Sequence, residues 1–233
     1  AENVAGSLGV TRAEQDEFAV LSQNRAEAAQ KSGFFRDEIT PVTLANGTVV
    51  DTDDCPRAGT TLAAIAGLEP ILKKWMGDAA TVTAGNACPL NDGAAAVLVM
   101  SDKKAKELGL TPLARIVSSG VTGINPEIMG LGPVAASQQA LARAGLTIKD
   151  IDLVEINEAF AAQVVPSARQ LGIPYEKLNV NGGAIALGHP FGMTGARIMT
   201  TLIHGLQVGG GRYGLETMCV GGGQGMAMII ERL

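Results

Sequence analysis

Hydrophobic and polar positions near the start of the chain repeat at helical spacing. Thr11 and Glu14 form the Thr-x-x-Glu pattern of a capping box, and Phe18 opens a periodic apolar series that stops before Gly33. Glycine commonly ends a helix, because it adopts the left-handed backbone that a helix end requires. The pattern therefore predicts a helix over residues 11–32.

Residues 39–93 carry mostly turn signals. Asn46-Gly47 lies between β-branched runs within residues 39–50, which predicts a β-hairpin. Residues 51–93 are rich in glycine, proline, threonine and alanine, and only residues 60–68 have a helical pattern. We expect a loop-rich subdomain that lies over another part of the protein and contacts a ligand.

From residue 94 onward, strand and helix patterns alternate, which predicts a layered α/β domain. Strands are predicted at residues 95–100, 113–121, 153–156, 178–180, 215–219 and 226–230, and helices at 102–108, 134–144, 158–171 and 192–205. The runs around Val97 and Met228 have little polar alternation, which is typical of strands covered on both faces.

Composition and charge exclude several classes of function. The chain has 233 residues, of which 46% are hydrophobic and 18% charged, so it is long enough to bury a sizeable core. Its formal net charge is −5, and no basic cluster is denser than Lys103, Lys104 and Lys106. Nucleic acid and an anionic membrane surface are therefore not expected as partners, whereas local arginines leave an anionic small molecule open.

The three cysteines, Cys55, Cys88 and Cys219, form no CxxC pair and no cluster with histidine, so no metal site is expected. Their odd number and scattered spacing favour a reducing compartment. The chain has no uninterrupted apolar run of about 18 residues and no secretion signal, so the expected location is the cytoplasm. It starts at Ala1 without an initiator methionine, and we expect it to be part of a longer protein.

A histidine and a cysteine lie in glycine-rich runs near the C-terminal end. His189 lies between Gly188 and Pro190, a context that favours a fixed turn in which an imidazole exchanges a proton reproducibly. Cys219 follows a predicted strand and precedes three glycines in the next four positions, whose backbone N–H groups are able to form an oxyanion site. The alternatives are a structural histidine and a buried cysteine that fills apolar space.

Asn157 and Glu158 lie between a predicted strand and the next helix, where ligands commonly meet α/β sheets. Asn157 either caps that helix or holds a water or a substrate oxygen, and both interpretations remain open. For Glu158 a structural hydrogen-bond network is favoured over a role as base. The glycine spacing of residues 179–197 matches neither a P-loop nor G-x-G-x-x-G after a strand, which disfavours a nucleotide-phosphate loop.

Four segments together resemble the thiolase family. They read NEAFA, NVNGGAIALGHPFGMTGAR, CVGGGQGMA and, upstream, TAGNACPLNDGAAAV, and the likeness extends over essentially the whole chain. It implies a layered α/β/α/β/α fold, with residues 1–93 as the loop domain that covers coenzyme A and residues 94–233 as the C-terminal α/β half. The implied reaction is reversible Claisen condensation or thiolysis of acyl-CoA, with coenzyme A or acetyl-CoA as substrate and no permanently bound cofactor.

The resemblance also implies catalytic roles. Cys219 would remove the α-proton of one acetyl-CoA and protonate the leaving group, which requires surroundings that lower the pKa of its thiol. His189 would polarise the nucleophilic cysteine and help to bind the thioester oxygen. Asn157 would hold the water that completes this oxyanion hole, and the backbone N–H of Gly221 would serve a second one.

Contacts with coenzyme A are implied at six positions. They are Arg57 near the adenine, Ala84, Ala159 and Phe160 along the pantetheine channel, Met129 near the acyl group, and Cys88 against the pantetheine arm. A solvated arginine or core packing is the alternative at these positions. Cys88 and the proline after it depart from the serine and glycine of many relatives, which leaves the local hydrogen bond and the acyl preference open.

The nucleophilic cysteine of the family lies in a Cys-x-Ser/Gly-Gly context, which none of the three cysteines of this chain provides. We therefore expect the N-terminal thiolase half as a partner, a dimer or tetramer of the whole protein, and no activity from the chain alone. A non-catalytic subunit that binds coenzyme A or acyl-CoA is the second hypothesis. A ketoacyl-synthase relative is disfavoured, because it would have histidine in place of Cys219.

Overall fold

The computed structural model of the protein describes residues 1–233 and contains nine α-helices and six β-strands. The helices are α1 (Glu2–Leu8), α2 (Arg12–Ser32), α3 (Leu62–Ala66), α4 (Lys73–Met76), α5 (Asp102–Glu107), α6 (Gly132–Ala144), α7 (Ala161–Leu171), α8 (Ala184–Leu187) and α9 (Thr194–Gly209). The strands are β1 (Val42–Thr43), β2 (Val49–Val50), β3 (Ala114–Gly123), β4 (Leu153–Ile156), β5 (Tyr213–Val220) and β6 (Gln224–Arg232). Short 3₁₀ helices occupy Phe34–Asp37, Gly77–Ala79, Pro126–Leu131 and Ile148–Asp150.

A four-stranded sheet in the order β3-β6-β5-β4 forms the centre of the fold. β4 is parallel to β5, with Leu153 opposite Gly214 and Ile156 opposite Thr217. β6 is antiparallel to both β5 and β3. The carboxyl ends of β4 and β5 therefore lie side by side at one end of the sheet, which is where ligands meet α/β sheets.

Helices cover both faces of the sheet, as the layered α/β prediction requires. α6 and α7 pack on the face that presents Leu215 and Ile229, and α9 packs on the face that presents Leu153 and Ile230. α1 and α2 cover α7 from outside, and Phe18 of α2 belongs to the same core as the sheet. None of the helices combines the length and the apolar character that a membrane crossing requires.

Two predictions of local structure in the first part of the chain are confirmed. The Thr11 hydroxyl accepts from the Glu14 N–H and the Glu14 carboxylate accepts from the Thr11 N–H at 2.8 Å, so the capping box starts α2. Gly33 ends this helix in the left-handed conformation. The hairpin of β1 and β2 turns at Asn46 and Gly47, although each strand has only two residues.

Two predicted strands are wrong. Residues 95–100 form no strand, and Val97, Leu98 and Val99 are 41%, 79% and 67% exposed instead of covered on both faces. An extended segment becomes a strand only when a neighbouring strand pairs with it, and none does so here. In residues 178–180, Leu178 forms a single bridge to Val154, because the backbone leaves the extended region at Asn179 with φ 44°.

Candidate active site

Three side chains form a hydrogen-bonded chain where β4 ends. The backbone N–H of Asn157 donates to the Thr217 carbonyl of β5 at 3.0 Å, which extends the β4–β5 ladder by one residue. Nδ2 of Asn157 lies 3.2 Å from Nε2 of His189, and Nδ1 of His189 lies 2.6 Å from Oγ1 of Thr194. Sequence analysis missed Thr194, whose only signal was a hydroxyl at the start of a predicted helix.

The Thr194 hydroxyl determines the tautomer of His189. Its one hydrogen is donated to the Pro190 carbonyl at 3.0 Å, so its oxygen accepts from the Nδ1–H of the imidazole. Nε2 therefore carries the lone pair and accepts from the Asn157 amide. Burial and the charge of Arg197 lower the pKa of His189, which favours the neutral ring near neutral pH.

Asn91 holds the loop that carries His189. Gly188 has φ 94°, and a Cβ at this position would collide with the Asn91 side chain, so the tight turn requires glycine. Oδ1 of Asn91 accepts from the backbone N–H of His189 at 3.1 Å. Asn91 thus connects the TAGNACPLNDGAAAV segment with the GHP turn, a contact that sequence analysis missed because 98 residues separate the two partners.

Cys219 lies near the end of β5, the strand next to the one that leads to Asn157. Burial raises the pKa of its thiol. The expected lowering of this pKa is therefore wrong, because a buried position disfavours the charged thiolate. The sulfur makes no hydrogen bond to His189 or Asn157. Cys219 and Asn157 lie at the neighbouring ends of β5 and β4, and His189 contacts Asn157.

Gly221 opens the turn between β5 and β6 and is exposed two residues after Cys219. Gly222 and Gly223 follow with φ 85° and 88° and reverse the chain. The Gly223 carbonyl accepts from the Ile124 N–H at 2.8 Å, which joins the turn to the end of β3. The backbone of Gly221 is therefore presented at the same end of the sheet as Cys219.

Glu158 is part of a buried structural network, as the sequence favoured. Its carboxylate accepts from Ser22 Oγ at 2.6 Å, from Asn179 Nδ2 at 2.7 Å and from the Ile185 N–H at 3.1 Å. Burial raises its pKa, and these hydrogen bonds act in the opposite direction. The network connects α2, the end of β4 and α8, so it positions Asn157 rather than facing the space beside His189.

Three of the six residues implied in coenzyme A binding are close together. The Cys88 N–H donates to the Ala159 carbonyl at 3.1 Å, and Ala87 forms a bridge with Phe160. Burial raises the pKa of the Cys88 thiol to about 11, and a charge on Cys219 would raise it further.

The other three residues lie on separate segments. Ala84 is exposed in a turn, and Met129 is partly buried in the 3₁₀ helix Pro126–Leu131. Arg57 is exposed, and its backbone N–H donates to Gln23 Oε1 of α2 at 2.9 Å, whereas its guanidinium makes neither an ion pair nor a hydrogen bond. The guanidinium is therefore available to an anion.

A cavity of about 480 Å³ lies away from these residues. It is lined by Asp152, Leu153 and Gly211 among others, at the end of β4 opposite to Asn157. No group of three or more His, Cys, Asp or Glu side chains is arranged to hold a metal ion. The hydrogen-bonded chain of Asn157, His189 and Thr194 therefore lies at the other end of β4 from this cavity.

Comparison with known proteins assigns the chain to a family. Residues 110–232 match the thiolase C-terminal domain, and residues 1–103 match the thiolase N-terminal domain. The chain belongs to the thiolase family. The acetyl-CoA acetyltransferases of Paracoccus denitrificans and Escherichia coli (strain K12) are 54% and 52% identical to this thiolase chain, over 100% of it and 59% of each relative.

Solved thiolase structures have the same fold. The crystal structure of the Bacillus anthracis acetyl-CoA acetyltransferase gives a TM-score of 0.95 at 46% identity, over 100% of this chain and 59% of that one. Human mitochondrial 3-ketoacyl-CoA thiolase in complex with CoA gives 0.92 at 45% identity, over 100% of this chain and 57% of that one. The predicted thiolase fold is confirmed, and this thiolase chain spans less than two thirds of the relatives that it matches.

Proposed function

We propose that the protein containing this chain is an acetyl-CoA C-acetyltransferase or 3-ketoacyl-CoA thiolase, which joins or cleaves acyl groups through thioester Claisen chemistry. The hydrogen-bonded chain of Asn157, His189 and Thr194 is the observation that carries this proposal. It lies at the strand ends beside Cys219, and a neutral imidazole with a defined tautomer is what proton transfer from a thiol requires.

His189 accepts the proton of the nucleophilic cysteine at Nε2. Because Nδ1–H is already donated to Thr194, only Nε2 is able to take that proton. The resulting imidazolium then donates from Nε2 to the thioester oxygen while the thiolate attacks the carbonyl carbon. Each preorganised donor to such an oxyanion contributes on the order of 3 kcal/mol to lowering the barrier.

Asn157 completes this oxyanion hole through a water molecule. Its Oδ1 is buried and has no hydrogen-bond partner among the atoms of the chain. A buried acceptor without a donor costs about 1–3 kcal/mol, so this oxygen is suited to receive one hydrogen of a bound water. The second hydrogen of that water is donated to the thioester oxygen.

Cys219 carries a proton between the two halves of the reaction. It protonates the departing coenzyme A thiolate and becomes a thiolate itself, and this thiolate then removes the α-proton of the second acetyl-CoA. The raised pKa of Cys219 makes the thiolate a strong base once it has formed. The backbone N–H of Gly221 stabilises the enolate oxygen.

Coenzyme A is the proposed substrate group, and no permanently bound cofactor is required. The free guanidinium of Arg57 suits the phosphates or adenine of coenzyme A. Ala84, Cys88, Ala159, Phe160 and Met129 are the proposed lining of the pantetheine and acyl channel.

The part of the thiolase N-terminal half that these residues do not include supplies the nucleophile and covers the exposed segment around Leu98. Val97, Leu98 and Val99 are an apolar run with no neighbouring strand, which supports pairing with a strand of that half. We also propose that the whole protein assembles into a dimer or tetramer and is located in the cytoplasm.

The decisive experiment compares the full-length protein with residues 1–233. We expect the full-length protein to cleave acetoacetyl-CoA in the presence of coenzyme A, and residues 1–233 alone to be inactive. Coenzyme A binding without turnover by the full-length protein would favour the non-catalytic subunit. Comparing 3-ketoacyl-CoA substrates of increasing chain length would then distinguish the two named activities.

A further inference from the structure

Residues 86–93 form a strap across the candidate active site. At the first end of the strap, the Asn86 carbonyl accepts from the Ala161 N–H at 2.9 Å. Two residues later, the Cys88 N–H donates to the Ala159 carbonyl at 3.1 Å. These bonds fix the strap to the chain that follows the end of β4.

The strap begins at a buried anchor. Nδ2 of Asn86 donates to Oδ1 of Asp16 at 2.9 Å and to the Thr81 carbonyl at 3.1 Å. Oδ1 of Asn86 accepts from the Thr83 N–H at 2.8 Å. The first end of the strap is therefore fixed by the chain itself, because both amide hydrogens and the oxygen of this buried side chain are paired.

The second end of the strap packs directly on the GHP turn. Oδ1 of Asn91 accepts from the His189 N–H at 3.1 Å. A Cβ on Gly188 would collide with the Asn91 side chain. A Cβ on Gly93 would lie only 2.8 Å from Cγ of Pro190. The strap and the turn therefore reach this close fit only because both positions are glycine.

Asn91 is the one hydrogen-bonding link between the strap and the GHP turn. Residues 89–93 make no hydrogen bond between backbone groups, and Leu90 is fully exposed between the two ends. Nδ2 of Asn91 donates to the Asp92 carbonyl at 3.0 Å, which orients the amide so that Oδ1 faces the turn. No other polar contact holds the turn against the strap.

We propose that Asn91 is a positioning residue for His189, which fastens the GHP turn to the strap and so keeps Nε2 of the imidazole within hydrogen-bond distance of Asn157. Both partners of this 3.2 Å contact are then held by one segment, since the strap is fixed to the residues after Asn157 at its first end and to His189 at its second. Supporting contacts of this kind hold a reacting group to within about 0.5 Å of its productive position.

The strap also carries Cys88, a proposed contact of the pantetheine arm, close to its first end. Under the proposed thiolase function, one segment therefore carries both the substrate arm and the link to the imidazole that binds the thioester oxygen. The part that Asn91 plays in turnover rests on that function, whereas its effect on the position of His189 does not.

Asn91→Ala and Asn91→Asp in the full-length protein test the proposal at about pH 8, where an imidazole of ordinary pKa is neutral. Asn91→Ala removes the acceptor, and we expect kcat for acetoacetyl-CoA cleavage to fall about 10-fold or more, because a small displacement of a catalytic group is costly. KM should change little, since the substrate contacts remain. Asn91→Asp keeps an acceptor oxygen and should retain most of kcat. The matched control is Asn46→Ala, which removes a similar bond to the Thr48 N–H in the exposed hairpin turn.

The ¹⁵N NMR signal of Nε2 of His189 measures the position of the imidazole without turnover. The signal is assigned by its loss in His189→Gln, and Asn157→Ala gives its shift when the hydrogen bond is absent. We expect Asn91→Ala to move the signal in the same direction as Asn157→Ala. Asn91→Asp and Asn46→Ala should leave it close to its original position.

An unmoved signal in Asn91→Ala, or an unchanged kcat in an active enzyme, would overturn the proposal, and so would a loss in Asn91→Asp as large as in Asn91→Ala. Should Asn91→Ala not fold, Gly93→Ala decides, because its new Cβ forces the strap away from Pro190 and should move the same signal. An unmoved signal in Gly93→Ala would then contradict the proposal. An inactive protein in which Asn91→Ala moves the signal would contradict only the thiolase function.

Discussion

Nδ2 of Asn157 lies 3.2 Å from Nε2 of His189, although 32 residues separate the two positions. The contact joins the end of a central strand to a loop whose path depends on the Gly188 turn and on Asn91. It gives Nε2 of the imidazole a hydrogen-bond donor, while the Thr194 hydroxyl oxygen accepts a hydrogen bond from Nδ1–H. The orientation and the protonation of His189 are thus determined before any substrate arrives.

Asn157→Ala in the full-length protein is expected to lower kcat for acetoacetyl-CoA cleavage by about 100-fold or more, since losing one oxyanion donor costs about 3 kcal/mol. Steady-state kinetics measure the effect. Asn24→Ala, on the exposed side of α2, is the matched control and should leave kcat unchanged. An Asn157→Ala enzyme with normal kcat would exclude Asn157 from the oxyanion hole.

Cys219→Ala is expected to abolish condensation, because no other group nearby is assigned to the α-proton of the second acetyl-CoA. The first acyl transfer should remain detectable as a burst of free coenzyme A released from acetyl-CoA. Rapid-quench kinetics measure this burst. Cys55→Ala, in a surface loop, serves as the control. Normal turnover by Cys219→Ala would remove this thiol from the mechanism.

Glu158→Gln separates a structural role from a role as base. The amide presents an NH₂ group to donors that now face a carboxylate, so we expect a loss of about 1–3 kcal/mol in the free energy of unfolding. Urea denaturation measures this loss, with the exposed Glu17→Gln as reference. If stability were unchanged and the acid limb of the pH–rate profile disappeared, Glu158 would be a base instead.

Glu216→Gln should change how stability depends on pH. The pKa of Glu216 is raised to about 8, above its unfolded value of about 4.3, so folding holds a proton that the unfolded chain releases. The resulting stability is present at low pH and is lost as the pH rises toward about 8, with a slope of at most about 1.4 kcal/mol per pH unit for one group.

Between about pH 6.5 and 8 the unmodified protein should therefore lose stability more steeply than Glu216→Gln. This interval lies above the titration of His189, whose lowered pKa contributes at lower pH. Chemical denaturation of the full-length protein at several pH values measures both slopes, and the exposed Glu176→Gln is the control. Parallel slopes for Glu216→Gln and the unmodified protein would contradict the raised pKa.

Local signals in the sequence predicted several elements well. The capping box of Thr11 and Glu14 places the start of α2, and strand β4 begins and ends at the predicted residues. The same kind of apolar pattern failed at residues 95–100, because a strand also needs a neighbour and none pairs with this segment. Helix α7 begins at Ala161 and not at 158, since Phe160 is extended and bridges to Ala87.

The glycine-rich runs and the residues Asn157, His189 and Cys219 were recognisable from the amino acid order alone, because their spacing is a property of the chain and carries the family likeness. Tertiary structure decided which polar groups meet: the Thr194 hydroxyl contacts Nδ1 of His189, and the burial of Cys219 raises its pKa where the sequence predicted a lowering. Helix caps and turns depend on interactions within a few residues, whereas protonation depends on desolvation and charge from every segment packed around a group.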